Sequence, residues 1–176
     1  MITVRTIEPS DYQTVEKLIY KAFINTEEGY GNEAELVAKL RKDPTYQNDF
    51  EGVALKNDRI VGHGLLSEVY VYKEDEKVST GLCLAPLAVL PKEQKQGIGA
   101  KLLSELESRA KNEGYPFISI LGHPGYYAKL GYQLASHYDI YAPFPAPDNV
   151  YFIKELKTDS LANVQGTISY LNAFND

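Results

Sequence analysis

The stretch "EQKQGIGAKLL" (residues 93–103) places two glycines, Gly97 and Gly99, one residue apart in front of a pattern that indicates an amphipathic helix. The apolar residues of that pattern recur on one helical face: Ile98, Leu102, Leu103, Leu106 and Ala110. A strand that runs into a glycine turn and then a helix presents free backbone N–H groups, which favour an anion. Glycine also lacks the Cβ atom that would keep a phosphate away from the backbone. We therefore interpret the turn as a pyrophosphate site, with close helix packing as the alternative reason for the glycines.

Two familiar phosphate loops do not match the spelling of this turn. A Walker A loop needs Gly-Lys-Ser/Thr at its end, whereas Gly99 is followed by Ala100, Lys101 and Leu102. A dinucleotide fingerprint needs a third glycine three residues after the second, where Leu102 stands. Lys95 adds a cation next to the turn, so the sequence predicts anion binding by a different kind of loop.

The chain before this turn begins with a strand and two helices. "MITVRTI" (residues 1–7) alternates as a strand does, and Ser10 with Gln13 fits a capping box for a helix that ends near Phe23. A glycine-marked loop, "TEEGYGN" (residues 26–32), comes next. The segment "EAELVAKLRK" then predicts a second, shorter helix.

Strands surround the glycine turn on both sides. "FEGVALKNDRIVGHGLLSEVYVY" indicates two strands joined at Asn57-Asp58, and "VSTGLCLAPLAVLP" a third that ends at Pro91, which together predict an antiparallel meander. After the helix, which Gly114 ends, "PFISIL" indicates a strand and "HPGYYAKLGY" one or two helical turns closed by Gly131. The order β-α-α-β-β-β-α-β-α-β predicts an α/β domain with a twisted sheet and helices on both faces.

Composition narrows the class of protein. A chain of 176 residues with 44% hydrophobic residues suits one domain, residues 1–176. The net charge of −6 argues against nucleic acid and against an anionic membrane as partners. A single cysteine, no visible secretory signal and no apolar stretch of membrane-spanning length predict a cytoplasmic protein. The scattered histidines and lone cysteine lack metal-ligand spacing, so no metal is expected.

The pattern Gln94-x-x-Gly97-x-Gly99 after the strand "LAV" (residues 87–89) resembles the acetyl-CoA pyrophosphate loop of the GNAT superfamily of N-acetyltransferases. Downstream, "YYAKLGY" (residues 126–132) resembles the family's Tyr-x-x-x-Gly-Phe segment, with Tyr132 in place of the usual Phe. Nearly the whole chain is similar to the YhbS-like branch of that superfamily. The resemblance implies a GNAT-like fold: a mixed, mostly antiparallel sheet with a V-shaped splay between its two central strands, "LAVLP" and "FISIL".

The resemblance also assigns the cofactor, which is acetyl-CoA as cosubstrate. It implies that Leu87, Ala88 and Val89 pair through their backbone with the pantetheine arm, and that one of their N–H groups meets the oxyanion of the reacting thioester. The residues implied to wrap the pyrophosphate, mainly through main-chain N–H groups, follow Gln94 of the same motif: Lys95, Gln96, Gly97, Ile98, Gly99 and Ala100.

Acetyl transfer to an amine needs a base for the amine and an acid for the departing thiolate. Tyr127 stands four residues before Gly131, where the family usually has its general-acid tyrosine, and a phenol stays protonated at neutral pH. Glu68 is the candidate base, acting through water, with an exposed strand glutamate of no catalytic role as the alternative. His63 is a further candidate for the base, with a buried structural histidine as the alternative.

Three other side chains receive non-catalytic interpretations. Tyr126 is expected to pack, and His123 to cap the helix that begins at Pro124. Cys83 is expected in the core, because no base or electropositive setting is visible for a nucleophile.

The function predicted from these residues is an acetyl-CoA-dependent N-acetyltransferase that uses direct attack by an amine of an unidentified small molecule or protein. The alternative is a non-catalytic domain that binds acyl-CoA as a sensor or scaffold. The expected partners are the amine acceptor and a second copy of the chain in a homodimer.

Overall fold

The computed structural model describes residues 1–24 and 32–175, so the predicted loop at residues 26–32 lies, apart from Asn32, outside the described residues. The described part of the chain forms four helices: α1 (Tyr12–Phe23), α2 (Glu33–Leu40), α3 (Ile98–Asn112) and α4 (Pro124–Tyr127). It also forms nine strands: β1 (Ile2–Thr6), β2 (Glu51–Lys56), β3 (Arg59–Lys73), β4 (Glu76–Val89), β5 (Phe117–Leu121), β6 (Gln133–Leu134), β7 (Ile140–Tyr141), β8 (Tyr151–Glu155) and β9 (Gly166–Tyr170).

Tight turns join the long strands of the meander. Asn57 and Asp58 have φ angles of 53° and 62°, and Glu74 and Asp75 have φ angles of 51° and 66°. Left-handed backbone at both central residues is the conformation of a two-residue hairpin loop, which Asn and Asp tolerate well. The predicted turn at Asn57-Asp58 is therefore confirmed.

The strands form one mixed sheet in the order β1-β2-β3-β4-β5-β8-β6, with β9 paired to β3 and β7 paired to β9. Antiparallel pairing joins β1 to β2, β2 to β3, β3 to β9, and β8 to both β5 and β6. Parallel pairing joins β7 to β9 and β4 to β5. The predicted mixed, mostly antiparallel sheet is confirmed.

The parallel register of β4 with β5 joins Leu82 to Ile118 and Cys83 to Ser119. This pairing is short relative to the two strands, as a splay between them requires. The V-shaped opening itself stays a prediction.

The chain divides into two compact units, each with its own core. Unit 1 comprises Met1–Leu66 and Ala85–Arg109, and unit 2 comprises Ser67–Leu84 and Ala110–Asp176. The unit-1 core contains a buried cluster from β2, β3 and α3: Ala54, Val61, Ile98 and Leu102. The unit-2 core contains a buried cluster of ten residues: Val69, Val71, Cys83, Phe117, Ala135, Ile140, Tyr151, Ile153, Leu161 and Ile168.

Two predicted boundaries are wrong in detail. The capping box at the first helix is formed by Glu8 and Asp11 around a 3₁₀ turn, and not by Ser10 and Gln13, because Asp11 accepts a hydrogen bond from the Glu8 N–H at 2.8 Å. The strand β4 ends at Val89 rather than Pro91, because Pro91 begins a separate 3₁₀ turn. The helical segment at Pro124 does end at Gly131 as predicted.

Candidate functional site

The end of β4 packs against the core of unit 1. Leu87 and Val89 lie against the unit-1 core, and Ala88 is buried. The neighbouring strand β3 runs close by, because a Cβ atom on Gly62 would lie 3.4 Å from the Ala88 carbonyl oxygen and one on Gly64 would lie 3.3 Å from Leu87 Cδ1. Glycines on β3 therefore allow a close approach to the segment at residues 87–89.

The loop between β4 and α3 bends twice into the left-handed region, at Lys95 (φ 66°) and at Gly97 (φ 81°). Left-handed residues within a turn can direct successive backbone N–H groups into one concavity that binds anions. In α3, the Lys101 N–H donates to the Gly97 carbonyl at 3.0 Å. The N–H groups at residues 98–100 therefore precede the first intrahelical hydrogen bond and have no partner one turn earlier.

The space beside this loop is open at the first glycine. Within the described ranges, no atom lies within 4 Å of the position that a Cβ on Gly97 would take. The φ of Gly97 also strains any residue with a side chain. The loop thus combines free N–H groups, a helix N-terminus and an open surface, which is the arrangement that holds a phosphate.

Side chains of unit 1 hold the loop in place. Gln94 donates from Nε2 to the Val89 carbonyl at 3.2 Å and so ties the loop to the end of β4. Lys56 on β2 donates to Glu93 at 2.9 Å and to Gln96 at 3.1 Å. The hydrogen bond from Lys56 is the main reason that the pKa of Glu93 lies below its usual value. These hydrogen bonds connect the loop to β2 and to the end of β4.

Tyr127 stands at the end of α4 in unit 2, among aromatic side chains. Its ring centroid lies 5.0 Å from that of Tyr126, 6.0 Å from that of Tyr132 and 6.2 Å from that of Phe152. A Cβ on Gly122 would come within 2.3 Å of the ring. These contacts restrain the orientation of the Tyr127 ring. Tyr126, predicted to pack, makes an edge contact with that ring but is itself 40% exposed.

Glu68 on β3 is half-buried rather than exposed, because two phenols cover its carboxylate. Tyr70 donates to Oε1 at 3.0 Å and Tyr115 donates to Oε2 at 2.6 Å. Neither donor belongs to α4. Glu68 and Tyr127 therefore have different neighbouring residues. The expectation of a solvent-exposed strand glutamate is wrong.

A buried polar cluster in unit 1, which we call the Glu51 cluster, consists of Arg41, Tyr46, Glu51 and His63. Neither the side chain of Glu51 nor that of His63 has any solvent exposure. The His63 Nε2 atom lies 2.7 Å from Glu51 Oε2, Arg41 Nη2 lies 2.6 Å from the same oxygen, and the Tyr46 hydroxyl donates to Oε1 at 2.7 Å. His63 is thus the buried histidine that the sequence allowed, with a carboxylate partner.

The charges of the Glu51 cluster follow from these contacts. Burial alone would raise the pKa of Glu51, but hydrogen bonds from His63, Arg41 and Tyr46 outweigh it and lower the pKa to about 2. Burial lowers the pKa of His63 below 6.5, although the Glu51 carboxylate opposes that shift. At neutral pH the cluster therefore contains an ionised Glu51 and a neutral His63.

The sequence gives no local sign of the Glu51 cluster, since its members come from four separate places between residues 41 and 63. Arg41, Tyr46 and His63 contact one carboxylate only once β2, β3 and the segment after α2 have packed together. The only available hint was the polar Glu51 directly before the apolar "GVAL" of β2.

The remaining candidates have simpler outcomes. Cys83 is buried, as predicted, and burial raises the pKa of its thiol to about 12. His123 stands at the N-cap position of α4, as predicted, but its side chain makes no capping hydrogen bond. Among residues 1–24 and 32–175, no group of three or more His, Cys, Asp or Glu side chains could hold a metal ion. None of the helices in these ranges combines the length and the apolar composition of a membrane-spanning segment.

One family match includes the end of β4 at residues 87–89, the loop at residues 94–100 and helix α3. The model of the acetyltransferase (GNAT) family matches residues 14–132, which is more than half of the chain. The chain belongs to the GNAT family of acetyltransferases. The family predicted from the glycine turn and from "YYAKLGY" is thus confirmed, and the GNAT match includes residues 87–100, Glu68 and Tyr127.

Curated GNAT relatives span nearly the same length. The Escherichia coli K12 protein named "Uncharacterized N-acetyltransferase YhbS" is 29% identical over 177 residues, which cover 98% of both chains. "Uncharacterized N-acetyltransferase YjhQ" of the same strain is 29% identical over 147 residues, covering 83% of this chain and 78% of YjhQ.

Solved GNAT structures match the fold over the whole chain. The crystal structure of Escherichia coli YhbS in complex with CoA has a TM-score of 0.87 at 28% identity, covering 99% of this chain and 92% of that one. A GNAT acetyltransferase from Brucella melitensis in complex with acetyl-CoA has a TM-score of 0.79 at 24% identity, covering 99% of this chain and 98% of that one. The predicted GNAT-like fold is confirmed.

Proposed function

We propose that this protein is an acetyl-CoA-dependent N-acetyltransferase that binds the cosubstrate through residues 94–100. The observation that carries the proposal is the open, left-handed Gly97 at the start of α3, beside N–H groups with no intrahelical partner. These groups fit a pyrophosphate, because they offer hydrogen bonds and a positive helix end without desolvating a charged side chain. The CoA bound to the YhbS relative gives independent support.

The strand before the loop has the second role in cofactor binding. We assign the pantetheine arm to the backbone of Leu87, Ala88 and Val89, whose side chains are engaged with or buried in unit 1. A strand that uses its side chains for packing still offers backbone N–H and C=O groups to an extended ligand. One of those N–H groups can also stabilise the oxyanion formed during acetyl transfer.

Tyr127 is assigned as the general acid. The amine nitrogen attacks the thioester carbon, the C–S bond breaks, and the phenol gives its proton to the departing thiolate. The contacts of Tyr127 with Tyr126, Tyr132 and Phe152 support the role, because they restrain the ring that must present the hydroxyl.

The base that receives the amine proton has two candidates. Glu68 is a carboxylate with both oxygens hydrogen-bonded to tyrosine hydroxyls, and it would act through water. His63 is a neutral imidazole paired with a carboxylate. Glu68 in unit 2 and His63 in unit 1 are both proposed as candidates for this base.

The acceptor is proposed as an amine of a small molecule or a protein. A non-catalytic acyl-CoA sensor is the competing function, and it would need the loop at residues 94–100 but not Tyr127. We also propose that residues 1–176 act as one domain, because β3, β4 and α3 each continue along the chain from one unit into the other. Urea unfolding followed by circular dichroism and tyrosine fluorescence should then give one coincident transition, whereas two separate transitions would contradict this proposal.

Calorimetry with acetyl-CoA tests the cofactor site. The Gly97→Val variant should lose binding, because the new side chain occupies the open cradle. The matched control is Gly114→Val at the other end of α3, since Gly114 also has a left-handed φ, of 90°. The control carries a similar backbone strain and should keep wild-type affinity. Unchanged affinity in a folded Gly97→Val variant would refute the loop assignment.

A further inference from the structure

A pocket of unit 1, which we call the α1 pocket, is lined by several cations. Its volume is about 440 Å³, which lies within the range of small-molecule sites. The cationic side chains are Arg5 on β1, Lys17 and Lys21 on α1, and Arg59 at the start of β3. Asp58 is the one acidic residue among the described residues of the lining. A chain with a net charge of −6 therefore concentrates positive charge in one concave surface.

Helical spacing places the two lysines side by side. Lys17 and Lys21 are four residues apart on α1, so their side chains are neighbours on one face of the helix. Thr14, three residues before Lys17, adds a hydroxyl to the same lining. Like charges at this spacing destabilise a helix, and an anion bound between them would remove that repulsion.

Three of the four cations are available to a ligand. Arg5 already has a carboxylate partner in the 3₁₀ turn before α1. No hydrogen bond or ion pair joins the side chain of Lys17, Lys21 or Arg59 to any residue within the described ranges. Arg59 only attracts Glu93 at longer range. An anion could therefore bind these three side chains without breaking an existing ion pair.

The α1 pocket lies on the opposite face of β1 from α3. Val4 packs against the unit-1 cluster that contains Ile98 and Leu102 of α3. The next residue of the strand, Arg5, lines the α1 pocket together with residues of α1. Successive side chains of a strand point to opposite faces. The pocket is therefore a different place in unit 1 from the loop at residues 94–100, which leads into α3.

The lining also indicates the class of ligand. Leu18, Leu55 and Ile60 give the pocket an apolar part that suits the organic body of a small molecule. Its free cations are two ammonium groups and one guanidinium from separate elements. A phosphate has several oxygens that such separate donors can share, whereas a lone carboxylate is matched best by a single guanidinium fork. The arrangement therefore favours a phosphate group.

We propose that the α1 pocket binds a phosphorylated small molecule, with its phosphate on Lys17, Lys21 and Arg59 and its organic part against Leu18 and Leu55. This site goes beyond the proposed transferase function and does not depend on it.

Amide NMR of the full chain, titrated with inorganic pyrophosphate, tests the anion site and locates it. Saturable shifts should appear at residues 14–21 and 58–60. The double variant Lys17→Gln/Lys21→Gln should raise the Kd measured from these shifts by at least about tenfold, because two charged donors are lost.

The matched control for this variant is Lys42→Gln/Lys111→Gln, which removes the same charge from two exposed lysines outside the pocket. The control should keep the wild-type Kd. No saturable shift at residues 14–21, or an equal Kd in the two double variants, would overturn the proposal.

Pyrophosphate is also a ligand for the proposed cofactor loop, so Gly97→Val separates the two sites. In this variant the shifts at residues 95–100 should vanish, while those at residues 14–21 should keep their Kd. Loss of the shifts at residues 14–21 in folded Gly97→Val would overturn the α1 pocket as a separate site. Persistent shifts at residues 95–100 would contradict the cofactor loop alone.

A parallel titration with citrate, at equal ionic strength, tests the class of anion. Pyrophosphate should bind the α1 pocket more tightly than citrate does. Tighter binding of citrate would assign the pocket to a polycarboxylate and overturn the phosphate assignment.

Discussion

The loop at residues 94–100 and the Glu51 cluster lie in the same unit but use opposite physical means. The loop is exposed over most of its length and offers backbone N–H groups, with side chains such as Gln94 and Gln96 serving to brace it. The Glu51 cluster is buried, and its chemistry is entirely that of side chains. The proposed cofactor loop relies on backbone geometry that does not titrate, whereas the Glu51 cluster holds charges whose state depends on pH.

This difference explains which region could be predicted. The loop is encoded locally, because the spacing of Gly97 and Gly99 before an amphipathic helix determines its shape. The cluster is encoded only by the tertiary fold, because Arg41, Glu51 and His63 come from different elements. Each variant below therefore tests the proposed cofactor loop, the proposed acid Tyr127 or the Glu51 cluster.

The largest effect is expected at the second glycine of the loop. Gly99 is buried in the first turn of α3, so Gly99→Val should remove acetyl-CoA binding to below detection, a loss of at least about 100-fold. Calorimetry and a melting curve measure affinity and folding together. A folded Gly99→Val variant that binds as tightly as wild type would contradict the proposal that the backbone of this loop binds acetyl-CoA.

The next effect concerns Tyr127 and turnover. Tyr127→Phe keeps the ring and removes the proton donor, so kcat should fall by roughly 10²-fold while acetyl-CoA affinity stays nearly intact. Tyr126→Phe is the matched control, because the neighbouring ring touches Tyr127 at its edge and has no assigned proton. Equal rates in wild type and Tyr127→Phe would show that the thiolate leaves without this acid.

A third effect concerns the stability of the Glu51 cluster. Glu51→Gln leaves the Arg41 guanidinium, whose side chain is only 15% exposed, without its counter-charge. Breaking a buried ion pair from one side costs about 3–5 kcal/mol, which urea unfolding would register. The Asp11→Asn control removes the pair with Arg5, which is 38% exposed, and should cost less. A larger loss in the control would contradict the assigned burial of the cluster.

A smaller effect is the acid dependence of wild-type stability. The pKa of Glu51 is about 2 in the fold against 4.5 ordinarily, so its contribution is present above about pH 4.5 and is lost as the pH falls toward 2. The lowered pKa of His63 acts in the same direction, because the unfolded chain takes up its proton first below pH 6.5. Urea midpoints should fall as the pH is lowered from 7 to 3, and a midpoint that rises over this range would contradict the ionisation states.

The smallest effect is expected for Gln94, whose side chain connects the loop to the end of β4. Gln94→Ala removes the hydrogen bond to the Val89 carbonyl, which is exposed to solvent, and should weaken acetyl-CoA binding by only about tenfold or less. Calorimetry against Gln47→Ala, a polar residue outside the loop, would measure it. A loss as large as that of Gly99→Val would mean that the Gln94 side chain itself contacts the ligand.

Much of the fold was predictable because its elements carry local patterns. Asn57-Asp58 determines one hairpin, and the apolar positions from Ile98 to Ala110 determine α3. Two details were predicted wrongly. The capping box is formed by Glu8 and Asp11 rather than by Ser10 and Gln13. The carboxylate of Glu68 is covered by two tyrosines, one from β3 itself and one from the segment after α3. The role of His63 could not be chosen from sequence, since its partner Glu51 becomes visible only in the paired register of β2 and β3.

CoA release from acetyl-CoA across a panel of small amines and lysine peptides, with the product identified by mass spectrometry, tests whether this protein is an N-acetyltransferase. We expect release of free thiol that depends on one class of amine, an acetylated amine in equal amount, and a loss of about 10²-fold in Tyr127→Phe. Acetyl-CoA binding with no acetylated product from any amine in the panel would contradict the proposed transferase and favour the acyl-CoA sensor.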